Sequence, residues 1–497
     1  MTALISDKEL SDFVKLFKNK DFEQCLNISN SWILKFPDDF RSWYYHGYLY
    51  HFDKKFDRAI KFYKKSISLN NKYIASYINL INVFTECNDN ENAIVYIEEA
   101  IKFFPEESTL YFLSGNIYKN IDDINTSIDQ YSKALLYDPN NAEAHNNIAI
   151  AYDQINKNEK AIEHFTIASK VLKNNEIMIN LANSYKKIKN FKKSENLLNK
   201  IISKGEKTFR AYFNMYELIK LEKDKSIEAL SVAKKMVDLF PNNIKSFICL
   251  LDSYLRLGDI KSSKEVIIKA VNIENTNATI ASYSNYLSKL IDEDDIYPFC
   301  PNPMDYIMEF NLFDYFNDKE INLSLVIDYI KNKEQIWERS NKTVTKGYRA
   351  SGSIFSEDMS LETKKVYTIL LNIIKDYRNN FEKTNSLFIS DFPDNNKIRS
   401  WATILESGGE HETHIHPGGW LSGVIYLEID EKQDGGDIEF LSQGYDLPSS
   451  SSFSKTIKIK PNIGKVVLFP SSLFHSTTPN NSNTNRITIA FDLMANS

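Results

Sequence analysis

Small and aromatic residues recur along the first half of the chain with a spacing of about 34 residues. Small residues allow two antiparallel helices to approach closely, and aromatic residues fill the space between neighbouring helix pairs. The clearest positions are Trp43, Gly47, Tyr50, Ala59 and Tyr63; Tyr77, Ala93, Ala100 and Pro105; and Tyr111, Gly115, Tyr118, Tyr131, Ala134 and Pro139. Weaker copies bring the total to about eight, so the pattern predicts an all-α solenoid over residues 6–277.

These positions resemble the repeat pattern of the tetratricopeptide repeat (TPR) family. The resemblance implies a helical arm with a concave groove of the kind that holds extended peptides, or that serves as a spacer. It says little about chemistry, because a fold of this kind hosts many unrelated functions. From the resemblance we expect a protein or peptide to be the partner of the groove.

The composition and periodicity of the sequence change after Asn277, where the repeat pattern ends. Prolines crowd into Tyr297–Pro303 and forbid a continuing helix, which predicts a connection over 278–303. Two helical patterns follow, around Glu320–Trp337 and Leu361–Phe381. Segments rich in β-branched and aromatic residues then predict strands at 398–406, 420–429, 437–441, 456–460, 464–470 and 486–493. Six or more short strands are typical of a barrel or jelly roll, so we expect a β-barrel domain with flanking helices over 304–497.

Charge and hydropathy argue against two classes of partner. The chain has 497 residues, a formal net charge of −6 and no basic stripe with interleaved aromatic residues, so we expect no binding to nucleic acid. Its apolar runs are far shorter than the roughly 20 residues of a membrane span, so no membrane partner is expected. The start lacks a charged-then-apolar leader and the four cysteines are scattered, which together favour a reducing cytoplasm.

Half of the eight histidines lie after residue 410, within the region of predicted strands. His414 and His416 are separated by one residue, so in an extended segment their side chains point to the same side. His475 follows the strand predicted at 464–470 and can bring a third imidazole from across a barrel. Three ligands on one side of a metal leave other positions open for substrate and oxygen, as oxygenase chemistry requires. The spacing therefore predicts a metal site rather than surface histidines.

The segments His411–Pro417 and Leu421–Leu427 resemble motifs of 2-oxoglutarate- and Fe(II)-dependent oxygenases, namely H-x-x-H-x-H-P and L-S-G-V-x-Y-L. A distal histidine and an arginine soon after it complete the family pattern, and His475 and Arg486 match these two positions. The resemblance covers about residues 296–497. It implies a double-stranded β-helix of the jelly-roll or cupin-like kind, and a dioxygenase that uses Fe(II), 2-oxoglutarate and O2, with hydroxylation as the expected reaction.

Carried over onto this chain, the resemblance assigns three imidazoles to the iron, those of His414, His416 and His475. It assigns the distal carboxylate of 2-oxoglutarate to Arg486, because a guanidinium pairs with a carboxylate through two parallel hydrogen bonds. Thr488 lies two residues further along the same strand face, and Tyr426 ends the second strand. Both stand where the family supplies hydroxyl groups to the same carboxylate, so we expect them in the cosubstrate site.

One position departs from the family pattern, in which a carboxylate follows the first histidine by two residues. His416 stands there, and a neutral imidazole leaves the iron site one unit more positive. We retain His416 as a predicted ligand because it lies on the same face as His414. His411, three residues earlier, is the reserve ligand and is expected at the rim of the site. Trp401 and Trp420 flank the motif, and core packing is expected for both.

Two other functions remain open from the sequence alone. A cupin-type metal dioxygenase acting on a small molecule would share the barrel, and Gly408, His414 and His416 satisfy part of the first cupin motif, although its glutamate is absent. Such an enzyme would not need Arg486, which therefore favours the 2-oxoglutarate enzyme. A non-catalytic TPR scaffold with a ligand-binding barrel is the third possibility. Our first expectation is a 2-oxoglutarate-dependent dioxygenase whose TPR arm recruits a protein or peptide substrate.

Overall fold

The computed structural model describes residues 4–315, 321–333, 335–337, 344–350, 352–394, 397–430, 435–445, 447–448 and 456–495. Within residues 4–277, sixteen α-helices follow one another with short turns between them. They are α1 (Asp7–Lys18), α2 (Phe22–Lys35), α3 (Phe40–Phe52), α4 (Phe56–Leu69), α5 (Ile74–Glu86), α6 (Asn90–Phe103), α7 (Ser108–Asn120), α8 (Ile124–Tyr137), α9 (Ala142–Gln154), α10 (Asn158–Val171), α11 (Asn175–Lys187), α12 (Phe191–Ile202), α13 (Phe209–Ile219), α14 (Ser226–Leu239), α15 (Ile244–Arg256) and α16 (Ile260–Val271).

The turn inside each early helix pair repeats in detail. One residue with a positive φ precedes the second helix of successive pairs, at Lys20, Lys54, Asn88, Asp122, Asn156 and Lys189. Where the small repeat position is Gly115, a Cβ atom would come within 2.5 Å of the Tyr131 ring. The glycine therefore lets α7 pack directly on the aromatic residue of α8, as the repeat pattern predicts. The expected all-α repeat fold is confirmed.

The chain divides into two compact units, Met1–Leu218 and Ile219–Ser497. A further helix, α17 (Ala278–Ile291), lies inside the segment that the proline-based analysis predicts as a connection. Its N-terminus is capped by Asn277, and it ends at Asp292 in the left-handed conformation. The helix stops before the first proline of this stretch, which explains how helix and prolines share one segment. The three-part division into 6–277, 278–303 and 304–497 stays a prediction.

The C-terminal region forms two antiparallel sheets with helices beside them. The strands are β1 (Met308–Asn311), β2 (Gln335–Trp337), β3 (Val344–Ala350), β4 (Ile398–His411), β5 (Gly419–Glu428), β6 (Ile438–Leu441), β7 (Ile457–Ile459), β8 (Lys465–Pro470), β9 (Phe474–Thr477) and β10 (Arg486–Met494). The helices are α18 (Leu323–Lys331), α19 (Leu361–Asn380) and α20 (Leu387–Ser390). The larger sheet has the order β1-β8-β5-β10-β4-β3-β2, and the smaller has the order β7-β6-β9. This interleaving of strands distant in sequence is the jelly-roll arrangement expected from the sequence.

All six strands predicted from the sequence are present, as β4, β5, β6, β7, β8 and β10. The helix predicted around Glu320–Trp337 is shorter, because α18 ends at Lys331 and Gln335–Trp337 pairs with β3 as strand β2. Pairing with β3, the next strand along the chain, has overridden the local helical pattern there. Helix α19 agrees with the prediction within one residue. None of the helices in the described ranges combines the length and apolar content that a membrane crossing needs.

A buried carboxylate ties helices of the second unit to a loop of the β region. Asp252 on α15 is 1% exposed, and its oxygens accept hydrogen bonds from Arg256 and from the Tyr283 hydroxyl of α17, each at 2.9 Å. Lys220 lies 3.1 Å away. Arg256 in turn donates to the carbonyl oxygen of Tyr445 at 2.7 Å. The Tyr445 ring packs edge-on against Phe474, the residue before His475, so the network supports one strand of the candidate site.

We expect the change Asp252→Ala to lower the free energy of unfolding of the full chain by about 3 kcal/mol, because it leaves two cations and a buried hydroxyl without their shared acceptor. Urea-induced unfolding measures this loss. Glu265→Ala is the matched control, since Glu265 is an exposed carboxylate of the neighbouring α16 and its removal should change little. Equal effects of the two substitutions would contradict the assigned role of Asp252.

Candidate metal centre

Three histidines predicted as ligands lie together in the second unit. One nitrogen from each of His414, His416 and His475 lies within 4.8 Å of the other two. The backbones of His414 and His475 exchange two hydrogen bonds of 3.0 Å, and the amide of His416 donates to the carbonyl oxygen of Ser471 at 3.0 Å. The segment 414–416 therefore runs extended and antiparallel to 471–475. Both imidazoles of the first segment consequently lie on one face, beside the third.

The Nδ1 atom of each imidazole has an acceptor on the side away from the cluster. His414 Nδ1 donates to the carbonyl oxygen of Glu412 at 2.7 Å, and His475 Nδ1 donates to that of Leu473 at 3.0 Å. His416 Nδ1 is hydrogen-bonded to Asp492. These contacts place the proton on Nδ1 and leave the Nε2 lone pair for a metal.

The two Nε2 atoms of His414 and His416 face each other at 3.2 Å. If both rings carry their proton on Nδ1, two lone pairs point at the same space, which is unfavourable unless a cation lies there. Two imidazole nitrogens bound at right angles to one metal, with bonds of about 2.1 Å, are separated by about 3 Å. The residues present therefore fit a divalent metal.

Burial keeps the imidazoles of His414 and His475 neutral. It lowers the pKa of His414 to about 4, with a further contribution from His416. Burial and the neighbouring His414 and His416 also hold the pKa of His475 well below its usual value. Metal binding needs the unprotonated ring, so near neutral pH these two ligands require no loss of a proton.

Asp492 and Ser422 adjoin the cluster; Ser422 is the serine of the L-S-G-V-x-Y-L motif but is not among the predicted site residues, and Asp492 belongs to neither motif. Ser422 Oγ donates to the Asp492 carboxylate at 2.7 Å and lies 3.0 Å from His416 Nδ1. Ser471 Oγ lies 2.7 Å from Ser422 Oγ. All of these side chains except that of His416 are buried. The one signal in the sequence is that Asp492 lies six residues after Arg486 on the same strand, and alternate residues of a strand share a face.

The predicted cosubstrate residues lie on the same sheet. Arg486 is 4% exposed, and its NH1 donates to the carbonyl oxygen of Gly436 at 2.6 Å. Its guanidinium lies 5.7 Å from the centre of the Tyr426 ring, and Tyr426 is paired in register with Thr488 across β5 and β10. Among the described residues, Arg486 Nε and the Tyr426 hydroxyl have no hydrogen-bond partner. Two buried donors without partners at one place are a ready site for an anion.

A cavity of about 300 Å³ joins these groups. Its lining includes the three clustered histidines, Arg486, Tyr426, Thr488 and Asp492. Apolar side chains of Val424, Ile438 and Phe469 line it as well. Burial raises the pKa of Tyr426 to about 12, so its phenol keeps its proton and acts as a donor. Concave, mostly apolar cavities with a few convergent polar groups are typical of ligand sites.

His411 lies in this cavity but outside the three-histidine cluster. Its amide donates to Thr477 Oγ1 at 2.8 Å, and its ring centre is 6.0 Å from that of His414. Burial lowers its pKa, and the positive charge of Arg486 lowers it further. Because His411 lies outside the cluster of three, it stays the reserve ligand of the prediction.

The two tryptophans that flank the motif differ in environment. Trp420 is buried, and its indole N–H donates to the carbonyl oxygen of Phe388 at 2.9 Å, so the expected core packing is confirmed. The same expectation is wrong for Trp401, which lines the cavity half-buried, 5.4 Å from the His416 ring. Arg349 of β3 lies 5.5 Å from the Trp401 ring on the cavity wall. Pairing of β3 with β4 brings these two residues together, and the sequence motifs do not predict it.

Three protein families match parts of the chain. A family described as "Putative 2OG-Fe(II) oxygenase" matches residues 399–492. A tetratricopeptide repeat family matches residues 40–73, and a TPR repeat family matches residues 115–156. The chain thus combines TPR repeats with a region similar to the 2-oxoglutarate and Fe(II) oxygenases. No curated protein sequence matches the chain.

Several solved structures resemble part of the chain. MamA from Desulfovibrio magneticus RS-1 (from residue 41 to the end) has 18% identity and a TM-score of 0.30, over 33% of this chain and 95% of that one. A tetratricopeptide repeat protein from Parabacteroides merdae ATCC 43184 has 15% identity and a TM-score of 0.37, over 49% of this chain and 96% of that one. Yeast Tom70 has 18% identity and a TM-score of 0.33, over 52% of this chain and 56% of that one.

We expect His414→Ala and His475→Ala each to abolish binding of Fe(II) to the protein purified without oxygen, because two imidazoles hold a divalent metal far more weakly than three. His411→Ala is the matched control, since it removes an imidazole from the same cavity but not from the cluster. Metal analysis after gel filtration measures the bound iron. Loss of iron from His411→Ala as severe as that from His416→Ala would refute this set of ligands.

Proposed function

We propose that this chain is a 2-oxoglutarate- and Fe(II)-dependent dioxygenase, and specifically a hydroxylase, whose TPR arm recruits a protein or peptide substrate. The observation that carries the proposal is the pair of unsatisfied buried donors, Arg486 Nε and the Tyr426 hydroxyl, in one cavity with three clustered imidazoles. A metal site alone does not need them. A buried guanidinium is costly without an anion, and the distal carboxylate of 2-oxoglutarate is an anion of suitable shape.

Several side chains of the cavity would have distinct roles in this reaction. The imidazoles of His414, His416 and His475 would hold the iron, and Arg486 would orient the cosubstrate with help from Tyr426 and Thr488. Bound Fe(II) with 2-oxoglutarate and O2 supplies the oxidation, which forms succinate and carbon dioxide and hydroxylates the substrate. The apolar side chains of the lining exclude water from the reacting groups. The half-buried Trp401 gives the substrate an aromatic surface on the β3–β4 side.

Features of the helical arm support recruitment of an extended peptide. Half-buried asparagines recur on the first helices of successive pairs, at Asn79 of α5, Asn116 of α7, Asn147 of α9 and Asn180 of α11. Asn147 Nδ2 donates to Asn116 Oδ1 at 2.9 Å, and Asn79 Nδ2 donates to the Tyr44 hydroxyl of α3 at 3.0 Å. These contacts link α7 with α9 and α3 with α5 through side chains of the first helices. A carboxamide has both donors and an acceptor, and it can pair with the backbone of a peptide of any sequence.

A cupin-type dioxygenase is the alternative. The two enzymes differ in that only the proposed one requires 2-oxoglutarate. We expect oxygen uptake to require 2-oxoglutarate and to yield succinate in the wild type. Arg486→Ala should lower the efficiency of 2-oxoglutarate use roughly 10- to 100-fold, because it removes a charged hydrogen-bonded pair of about 1.5–3 kcal/mol. Iron binding should persist in this variant, which is the control for folding. Oxygen uptake that never depends on 2-oxoglutarate would refute the proposal and favour the cupin chemistry.

The role of the arm can be tested in the full chain. We expect the double change Asn116→Ala and Asn147→Ala to raise the apparent KM for a protein substrate about tenfold while slow succinate formation without substrate is unchanged, since a lost contact of about 1.4 kcal/mol changes affinity by that factor. Proteins of a cell lysate that gain one oxygen atom, quantified by mass spectrometry, provide the readout. Lys61→Ala and Lys102→Ala on the second helices α4 and α6 form the control. Equal modification of lysate proteins by both forms would indicate a small-molecule substrate.

A further inference from the structure

The three-imidazole cluster has no carboxylate ligand, yet one buried carboxylate lies directly behind it. Asp492 is 6% exposed and is hydrogen-bonded to His416 Nδ1, the nitrogen on the far side of the ring from His414. His416 is the position at which the oxygenase pattern has an acidic residue. The Asp492 carboxylate therefore supplies the negative charge that the ligand set lacks. It is separated from the metal position by the imidazole ring of His416.

The surrounding sheet holds Asp492 in this place. Asp492 on β10 is paired in register with Ser422 on β5, and Ser422 Oγ donates to its carboxylate at 2.7 Å. Strand β5 begins at Gly419, where a Cβ atom would come within 3.1 Å of Asp492 and within 2.5 Å of Ser471 Oγ. Only a residue without a side chain leaves room for this arrangement. The carboxylate thus has a fixed position and a fixed direction toward His416.

We propose that Asp492 is the displaced carboxylate of the metal site, a positioning residue that holds the Nε2 atom of His416 toward the metal and supplies the negative charge that a carboxylate ligand would supply. This inference rests on the proposed function, since it assumes that the three imidazoles hold a divalent metal. Three neutral imidazoles leave a divalent metal with a net charge of +2, and Asp492 reduces the net charge of the group to +1. Two imidazoles and one carboxylate ligand give the same total.

The physical basis is the pairing of a metal-bound imidazole with a carboxylate. A carboxylate that accepts a hydrogen bond from the Nδ1–H group fixes the tautomer and the orientation of the ring. It also makes Nε2 a stronger electron-pair donor to the metal. His414 and His475 have neutral carbonyl oxygens in the same place, so they receive the orientation without the charge. Asp492 therefore makes His416 different from the other two ligands.

Asp492→Asn tests the charge with little change of shape, because an amide oxygen accepts hydrogen bonds from the same donors. We expect the dissociation constant for Co(II), measured by competition with a chromophoric chelator, to rise about 10- to 100-fold in this variant. The visible spectrum of bound Co(II) should shift as well, because the donor strength of His416 changes. Ser422→Ala, which removes one hydrogen bond and retains the charge, should have a smaller effect. Glu428→Gln, a carboxamide control elsewhere on β5, should have none.

A second variant distinguishes the proposed role from a purely structural one. In a His416→Asp background the imidazole that hydrogen-bonds to Asp492 is absent, so Asp492 has no ring to position. Asp492→Asn should therefore weaken Co(II) binding strongly when His416 is present and much less when His416→Asp is present. A purely structural role of Asp492 would give equal losses in both backgrounds.

The outcomes separate this inference from the proposed function. If His414→Ala and His475→Ala retain Co(II), the metal site itself is refuted and both proposals fail. If those variants lose Co(II) while Asp492→Asn binds it as the wild type does, only the role of Asp492 is refuted. A lower melting temperature of the metal-free Asp492→Asn protein with unchanged Co(II) affinity would also refute it. A large loss of Co(II) affinity when His416 is present and a small loss when His416→Asp is present would support it.

Discussion

Two backbone hydrogen bonds between His414 and His475 are the interaction on which the candidate site depends. They join segments that lie more than 50 residues apart, and they bring the two imidazoles from opposite sides into one cluster. His416 follows on the same face because side chains alternate along an extended segment. If this bridge slipped by one residue, His414 and His416 would turn away from the cavity together. The register of this bridge between His414 and His475 therefore decides whether these residues can hold a metal.

Alternation of side chains along the central strand β10 also places several residues of the cavity. Arg486, Thr488 and Asp492 are separated by even numbers of residues, so all three face the histidines. Arg486 meets Tyr426 at one end, where two buried donors lack partners among the described residues. Asp492 meets His416 toward the other end. One strand thus carries both the expected anchor for an anion and the charge that accompanies the expected metal.

Helices α15 and α17 of the second unit contact Tyr445 and Pro448, which follow β6. Arg256 of α15 holds the carbonyl oxygen of Tyr445, and Tyr286 of α17 donates to the carbonyl oxygen of Pro448 at 2.7 Å. Tyr445 also packs against Phe474, next to His475. These helices therefore act as a support for β9 as well as continuing the chain from the repeats. Such support matters because a metal site tolerates little displacement of its ligands.

The sequence by itself determined the repeat fold, the strands of the β region and the identity of the histidines and arginine in the cavity. Each of these rests on local information: a period of about 34 residues, an alternation of side chains, or a motif a few residues long. The tertiary structure decided the partners. Asp492 contacts His416 across 76 residues, and Trp401 faces the cavity because β3 and β10 flank β4. The strand β2 replaces the end of a predicted helix because pairing with β3, the next strand along the chain, outweighs local preference. The contacts of Asp492 and Trp401 depend on register between segments far apart in the chain, and no local pattern encodes that register.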